Sequence, residues 1–482
     1  MRIIKNFLNG EYEKPQGEPK YDVYNPATGE IIAKVAEGKK DDVDRAVDLA
    51  YDAQKKWENV PLPERIKMLF RLENLMWENI DEISEITTIE HGKTFLESKG
   101  DAIRAIQNVE SAAAVSYNIM GQNNKNIANG IDEELIRVPI GVFAIISPFN
   151  FPLMIPYWFM PYAIAMGNTV IMKPSEKTPM SIEKSMEFIK KAGFPENVVQ
   201  LVNGGREVVN YILDNKKISG ISFVGSTPVA EYVYKTGTSK RKRVQAGASA
   251  KNFILVMPDA DIEKHMPNII GSFFGNAGER CLAGSVLVTM KENHDKVVNS
   301  FLDQAKRLKI GYGLEKDVDM GPLIRKEHKE RVIKYIESGI HEGAKILIDG
   351  RTYKNERFPN GFFLAPTIFD SVDTSMIIAK EEIFGPVASI ITAENFDQAI
   401  EIINKSHYGN ASSIYTNSGY YAREYVDKIK AGNIGINIGV AAPIAFYPFA
   451  GMKESFFGDL HPQGGLDHIL FFTDSKVVIS RW

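Results

Sequence analysis

The chain carries one thiol. Cys281 is the single cysteine among 482 residues and lies in Gly275-Asn276-Ala277-Gly278-Glu279-Arg280-Cys281, a glycine-rich segment with an arginine directly before the sulfur. A lone thiol can form neither an internal disulfide nor a multi-cysteine metal centre, so no metal site is expected and any chemistry it performs is nucleophilic. The competing reading is a small buried hydrophobe, because free cysteine is among the most buried residue types. Other polar residues with chemical capacity sit in short segments rich in Gly and Pro: Pro148-Phe149-Asn150-Phe151-Pro152, Lys173-Pro174-Ser175-Glu176, Phe223-Val224-Gly225-Ser226-Thr227 and Glu381-Glu382-Ile383-Phe384-Gly385-Pro386-Val387.

Those segments follow a regular pattern of elements. Between 141 and 235 short apolar runs ending in Pro, Gly or Ser alternate with stretches of helical spacing, which reads as βαβ units on a parallel sheet. Strands are predicted over 142–147, 169–173, 198–202 and 220–224. A proline-interrupted helix is predicted over 154–166, with further helices over 179–191 and 206–213. Ligands of such sheets bind beyond the carboxyl ends of the strands, where Pro148-Phe149-Asn150, Lys173 to Glu176, Asn203-Gly204-Gly205 and Gly225-Ser226-Thr227 fall. Upstream, 40–121 is mostly helical in pattern, with Asp41 and Asp42 placed to cap a helix running through Trp57. A second α/β region spans 253–439, with strand-like runs at 286–290, 345–348 and 387–391. Strand-like patterns at 133–138 and 476–482 are too distant in sequence for a hairpin and suggest a small sheet used for oligomerisation, as a dimer or tetramer.

Composition narrows the partners. The chain is long enough for two or three domains with ample burial. Lys plus Arg total 57 against 61 Asp plus Glu, a net charge of −4, so no polycationic field draws nucleic acid. The basic run Lys240-Arg241-Lys242-Arg243 reads as a solvated loop rather than a phosphate clamp. The most apolar stretch, 151–166, contains Pro152, Pro156 and Pro161 and falls short of the roughly 20 residues a membrane span needs. With one cysteine and no secretory pattern at Met1 to Phe7, a cytoplasmic enzyme of small molecules is the expectation.

The quoted segments stand in the order and spacing of the aldehyde dehydrogenase superfamily, which the chain resembles over nearly its whole length. The resemblance implies an NAD-binding domain of Rossmann type (1–121 and 139–249), an α/β catalytic domain (250–446) and oligomerisation segments (122–138 and 447–482). It implies Cys281 as the nucleophile, and Asn150 with the Cys281 N–H as donors to the oxyanion of a thiohemiacetal. It also implies NAD contacts from Ser147, Phe149, Lys173, Glu176, Lys177, Gly225, Ser226, Glu382 and Phe384. The Gly-x-Gly-x-x-Gly fingerprint is missing, so Gly225 and Ser226, where a strand ends and a helix begins, would meet the pyrophosphate through free N–H groups and the helix dipole. Ala230 stands where the family often has a second glycine. A carboxylate such as Glu176 near the ribose accepts a hydroxyl and repels a 2′-phosphate, favouring NAD over NADP, and the adjacent Lys177 could soften that preference.

One departure narrows the function. Hydrolytic members carry a Glu-Leu-Gly-Gly-Lys type motif whose glutamate activates water. Here the matching segment is Gln245-Ala246-Gly247-Ala248-Ser249-Ala250-Lys251-Asn252, with Gly247 at the glutamate position. Loss of a general base costs a factor of about 10²–10⁴, so a thioester on Cys281 would persist until a better nucleophile arrives. This segment, Phe149 in place of the more usual tryptophan, and the ending Phe457-Gly458-Asp459-Leu460-His461 through Arg481-Trp482 look most like the methylmalonate-semialdehyde dehydrogenase family. That family is acylating, coenzyme A taking the acyl group: methylmalonate semialdehyde gives propionyl-CoA, malonate semialdehyde gives acetyl-CoA, and the carboxylate leaves as bicarbonate. A substrate carboxylate needs a cationic clamp, and Arg104 and Arg280 stand where the family pattern has arginines. The chain also departs from that family, with Glu279 where glutamine is common and without an asparagine at Gly247. A hydrolytic semialdehyde dehydrogenase using Glu279 as base is therefore the alternative, and a non-catalytic binding module that keeps the fold is a third reading.

Overall fold

The computed structural model describes residues 1–114 and 119–482. Two large sheets dominate it. In the first, the spatial order is Phe456–Phe457, Arg243–Gly247, Ile218–Val224, Val142–Ile146, Thr169–Lys173, Val199–Leu201, Asn6–Leu8 and Glu11–Glu13. The five strands from Arg243–Gly247 to Val199–Leu201 run parallel, and antiparallel partners close both edges. Their fully buried Val and Ile runs are what a parallel sheet covered on both faces selects. From Val142–Ile146 the chain steps outward to Thr169–Lys173 and Val199–Leu201, then returns to the other side of Val142–Ile146 with Ile218–Val224. That reversal is a topological switch point, and the crevice beyond it is where such sheets hold ligands. Register aligns Ile146 with Lys173 and with Phe223, and Val224 with Gly247, so the polar segments that follow these strands share one rim.

The second sheet has the order Lys345–Ile348, Thr367–Asp370, Val387–Ala393, Gly284–Met290, Asn252–Val256, Ala411–Tyr415 and Asn433–Ile436, parallel except at the Lys345–Ile348 edge. Cys281 enters it just before Gly284–Met290, and Glu382 just before Val387–Ala393. A three-stranded antiparallel sheet joins Gln122–Ala128, Ile131–Pro139 and Thr473–Arg481, so the distant strand patterns at 133–138 and 476–482 do pair. Val477, Ile479 and Trp482 are exposed on it.

Several local expectations need correction. Asp42 caps from within the first turn of the helix Lys40–Trp57: its carboxylate accepts from the N–H of Lys39, 2.8 Å away, and neither Asp41 nor Asp42 is the capping residue itself. The interruption expected over 154–166 does occur, at Trp158 and Phe159 just ahead of Pro161, leaving the largely buried helices Met154–Tyr157 and Met160–Ala165. Among the described residues, no helix is long and apolar enough to cross a membrane. The upstream helices end with Phe95–Ala113, and residues 115–118 of the span expected to be helical lie outside the described residues. Only half of the basic run is a solvated loop: Lys240 and Arg241 are exposed in a turn, whereas Lys242 and Arg243 are not. Lys242 is buried and donates to the carbonyl of Ile218 at 2.9 Å, while Arg243 donates to the carbonyls of Leu470 and Thr473 at 2.6 and 2.9 Å, where the helix Asp467–Phe472 ends. The tail does more than form the small sheet: Phe456–Phe457 closes an edge of the first sheet, and Phe472 meets Phe143 in that sheet's core at 4.8 Å between ring centroids.

Candidate active site

Cys281 follows a left-handed turn. Asn276 (φ 53°), Ala277 (φ 51°) and Gly278 (φ 74°) all have positive φ. For Ala277 this conformation costs about 1–2 kcal/mol. Gly278 is required twice over, since a Cβ there would sit 2.3 Å from the carbonyl oxygen of Gly385. The turn thus seats the nucleophile segment directly against the loop that carries Glu382 and Phe384. Beyond it, the carbonyl of Cys281 accepts from the Nδ2 atoms of Asn252 and Asn410, each at 2.8 Å, and both asparagines are buried. Position and backbone orientation of the half-buried cysteine are therefore fixed before any ligand arrives. Burial pushes its thiol up to about 12; the Glu382 carboxylate adds to this, while the N–H groups of Cys281 and Leu282 and the Arg280 guanidinium oppose it. The resting sulfur is a protonated thiol.

Asn150 lies beyond the strand Val142–Ile146, buried, with its Nδ2 donating to the carbonyl of Glu279 at 3.1 Å. That carbonyl is two residues before the sulfur, so the amide is aimed at the nucleophile segment across the gap between the two sheets. A donor held there, with a backbone N–H at the cysteine, can stabilise negative charge on a carbonyl oxygen attacked by the sulfur.

Glu279 points elsewhere. Its side chain is fully buried, with Oε1 3.3 Å from the Ile324 N–H and 3.4 Å from His328 Nε2. His328 Nε2 also lies 2.6 Å from the Phe384 carbonyl, to which it donates, and Glu279 Oε2 has no hydrogen-bond partner among the described residues. Burial raises this carboxyl well above the usual range and pushes His328 down to about 4. Oε1 is engaged by Ile324 and His328, and burial disfavours the charged form that a base for water needs.

The remaining residues gather on the rim of the first sheet. Ser147 is buried and donates its N–H to the Lys173 carbonyl at 3.1 Å. Lys173 Nζ lies 3.7 Å from Glu176. Burial raises Glu176, but the Lys173 ammonium, the backbone N–H of Glu176 and the charges of Lys177 and Arg325 together outweigh it and hold the carboxyl below its ordinary value. Lys177 turns its ammonium over the Phe149 ring, 4.6 Å from the centroid, and burial lowers its pKa. Phe149 stacks on His91 at 6.0 Å and meets Phe384 edge-on at 5.8 Å, joining segments far apart in sequence. Glu382 Oε1 accepts from the Ala250 N–H at 2.9 Å, and burial raises its carboxyl.

Gly225 and Ser226 do end a strand and open the helix Thr227–Ser239. The helix start offers fewer free donors than its sequence suggests, because the Thr227 N–H is taken by Ser249 Oγ at 3.2 Å and Pro228 has none. Ser226 remains exposed at that start, and Ala230 is buried in the first turns. A ribose asks for a carboxylate acceptor and a cationic donor, and a pyrophosphate for donors at a positive helix end. The Lys173–Glu176 pair, Ser226 and Glu382 supply that set, so these side chains fit a dinucleotide.

The two arginines are placed unequally. Arg280 Nη2 is ion-paired with Glu97 Oε1 at 2.7 Å. Arg104 is half-buried and, among the described residues, donates only to Gln107 Oε1 of its own helix, Phe95–Ala113, at 3.1 Å. Glu97, Asp101, Arg104 and Asn108 recur at helical spacing and share one face, which packs on the loop after Asn150: Asp101 Oδ1 accepts from the Met154 N–H at 2.7 Å, and Asn108 Oδ1 accepts from Tyr162 at 2.9 Å. Both arginines thus reach the same helix face, with Arg280 already neutralised by Glu97. Sequence reasoning did not single out Glu97, Lys93, Asn410 or His328, and gave Asn252 no role. The one local signal was Thr94-x-x-Glu97, a capping box that also delivers the Arg280 counter-ion.

Comparisons with known proteins give the family and the fold. The model of the aldehyde dehydrogenase family matches residues 12–478. A malonate-semialdehyde dehydrogenase of Bacillus cytotoxicus is 48% identical over 482 residues, covering 100% of this chain and 99% of the relative, and one of Bacillus cereus strain AH187 matches to the same extent. Among solved structures, a methylmalonate-semialdehyde dehydrogenase from Oceanimonas doudoroffii superposes with a TM-score of 0.98 at 38% identity, covering 100% of this chain and 99% of that one. A Sinorhizobium meliloti chain assigned to the same activity and complexed with NAD gives 0.98 at 38%, covering 100% and 98%.

Proposed function

The chain belongs to the aldehyde dehydrogenase family, and on that premise we propose that it oxidises malonate and methylmalonate semialdehyde through a Cys281 thioester that coenzyme A resolves, giving acetyl-CoA and propionyl-CoA. Cys281 gives up its thiol proton to solvent water and attacks the aldehyde carbon as the thiolate. The amide of Asn150 and the Cys281 N–H hold the resulting oxyanion, which requires Asn150 to exchange its bond to the Glu279 carbonyl for one to the substrate. NAD, when bound, supplies the hydride acceptor. Ser147, Phe149, Lys173, Glu176, Lys177, Gly225, Ser226, Glu382 and Phe384 are the residues that would hold it, with Glu176 favouring it over NADP. Arg104 and Arg280 grip the substrate carboxylate, Arg280 sharing its charge with Glu97. After oxidation the bond from the α-carbon to that carboxylate breaks, the released CO2 combines with water as bicarbonate and the α-carbon takes a proton; the thiol of coenzyme A then takes the acyl group, and Cys281 leaves as a thiolate that regains the proton.

One observation carries the acylating reading: Gly247 ends its strand with no side chain where a base for water would stand. Glu279, the alternative base, is directed to Ile324 and His328, and burial disfavours its charged form. Thiolysis needs less assistance, since a thiol is more acidic and more nucleophilic than water. The names of the relatives support the substrate class. The exposed apolar residues of the three-stranded sheet support its use in a homo-oligomer. The test is peptide mass spectrometry after incubation with NAD and malonate semialdehyde. The Cys281 peptide should carry an acyl adduct without coenzyme A, and lose it to acetyl-CoA when coenzyme A is added. An unmodified peptide alongside free acid would overturn the proposal.

A further inference from the structure

Lys93 is a cation that the reaction scheme leaves unused, and it lies fully buried next to the oxyanion donor. Its Nζ donates to the backbone carbonyl of Asn150 at 2.6 Å, lies 3.5 Å from Asp101 Oδ2, and sits 4.1 Å over the ring of Phe151. Asp101 in turn accepts the Met154 N–H through Oδ1. One lysine and its carboxylate therefore hold the loop 150–154 at three points: the carbonyl of Asn150, the ring of the next residue and the N–H of Met154. The backbone behind Lys93 is equally confined, because a Cβ on Gly313 would lie 2.2 Å from the Lys93 carbonyl oxygen and one on Gly321 3.4 Å from its Cα. Burial lowers the Lys93 pKa and Asp101 opposes this, but either form of the amine donates to a carbonyl.

We infer that Lys93 is a positioning residue for the oxyanion donor, fixing the peptide of Asn150 so that its amide meets the reacting carbonyl oxygen. The inference rests on the thioester reading above. Lys93 reaches the Asn150 carbonyl from the turn after the helix Ile80–His91, and among the described residues no other donor meets that carbonyl, so without Lys93 it is unpaired and the loop loses one of its three anchors. A displacement of about 1 Å at such a site costs about a hundredfold in rate.

The test compares wild type, Lys93→Met, and Lys93→Met with Asp101→Asn. The double variant keeps the Met154 acceptor and leaves no unpaired buried charge, so it tests the idea even if the single variant does not fold. Two rates are read: the pre-steady-state burst of NADH with malonate semialdehyde, and alkylation of Cys281 by iodoacetamide, which needs no oxyanion donor and reports a unique thiol. We expect the burst to fall about 10- to 100-fold in both variants, with alkylation and NAD affinity within about twofold of wild type. A burst within twofold of wild type, burst and alkylation falling together, or neither variant folding would overturn the positioning role and leave Lys93 as structural. Absence of a burst in the wild type would instead refute the thioester reading itself.

Discussion

Replacing Gly247 by glutamate should convert the enzyme from coenzyme A-dependent to hydrolytic turnover. The backbone accepts the change: Gly247 has ordinary strand geometry, and a Cβ there meets only Val224 Cγ2 at 3.4 Å and Cγ1 at 3.7 Å and the Phe223 carbonyl at 3.8 Å, all ordinary contacts. Removing a strand glycine stabilises by roughly 0.5–1 kcal/mol, so the variant should fold at least as well as the parent. The chain leaving Gly247 runs alongside the nucleophile, since the Ala250 N–H meets Glu382 and the Asn252 side chain holds the Cys281 carbonyl. A carboxylate at 247 is therefore carried on the segment that borders the nucleophile, where it can take a proton from water. A well-placed base is worth about 10²–10⁴ in rate, about 3–5 kcal/mol of barrier. The assay is steady-state NADH formation without coenzyme A, with the free acid quantified. Its rate should rise with pH through the pKa of the new carboxyl. A folded variant with an intact NADH burst whose coenzyme A-free rate gains less than tenfold would refute the view that the missing base explains acyl transfer.

Gly278→Ala should be damaging, since φ of 74° and a Cβ 2.3 Å from the Gly385 oxygen impose about 1–3 kcal/mol of strain and shift Cys281; thermal unfolding and the burst rate should both fall, and an unchanged burst would contradict the packing described. The Cys281 thiol, held up to about 12, should be alkylated in the ligand-free enzyme at a rate climbing about tenfold per pH unit from 7 to 10. Its neutral burial stabilises the fold below the pKa of the unfolded thiol, and that contribution is lost as pH rises through about 12; an alkylation plateau below pH 9 would show a thiolate instead. Glu176→Gln should raise NADP use relative to NAD by about tenfold, ~1.4 kcal/mol, measured as the ratio of kcat/KM values. Arg104→Leu should raise KM for malonate semialdehyde by about 10- to 100-fold, the loss of a charge-assisted bond of ~1.5–3 kcal/mol, and leave propionaldehyde within twofold; equal effects on both would remove Arg104 from the clamp.

The parallel strands and their rim were legible because buried strands write themselves as Val and Ile runs closed by Gly, Pro or Ser, and the switch point follows from their order. Cys281 was legible through its uniqueness, and Gly247 through its departure from a known motif. The contacts that set the chemistry were not. Lys93 reaches Asn150 and Asn410 reaches Cys281 across separations that leave no local trace, since a lysine or asparagine bound to a backbone carbonyl selects for no pattern nearby. The direction of Glu279 depends on a left-handed turn at Asn276 and Ala277, residue types that do not demand it. Lys242 and Arg243 looked solvated because charge suggests water, yet carbonyls at the ends of neighbouring elements absorb both.

The most direct test of thioester chemistry resolved by coenzyme A is stopped-flow NADH formation with malonate semialdehyde and saturating NAD, first without coenzyme A and then after its addition. Thioester chemistry resolved by coenzyme A predicts one NADH per Cys281, a stall, and resumed turnover with release of acetyl-CoA when coenzyme A is supplied. Sustained turnover to a free acid in its absence would contradict it.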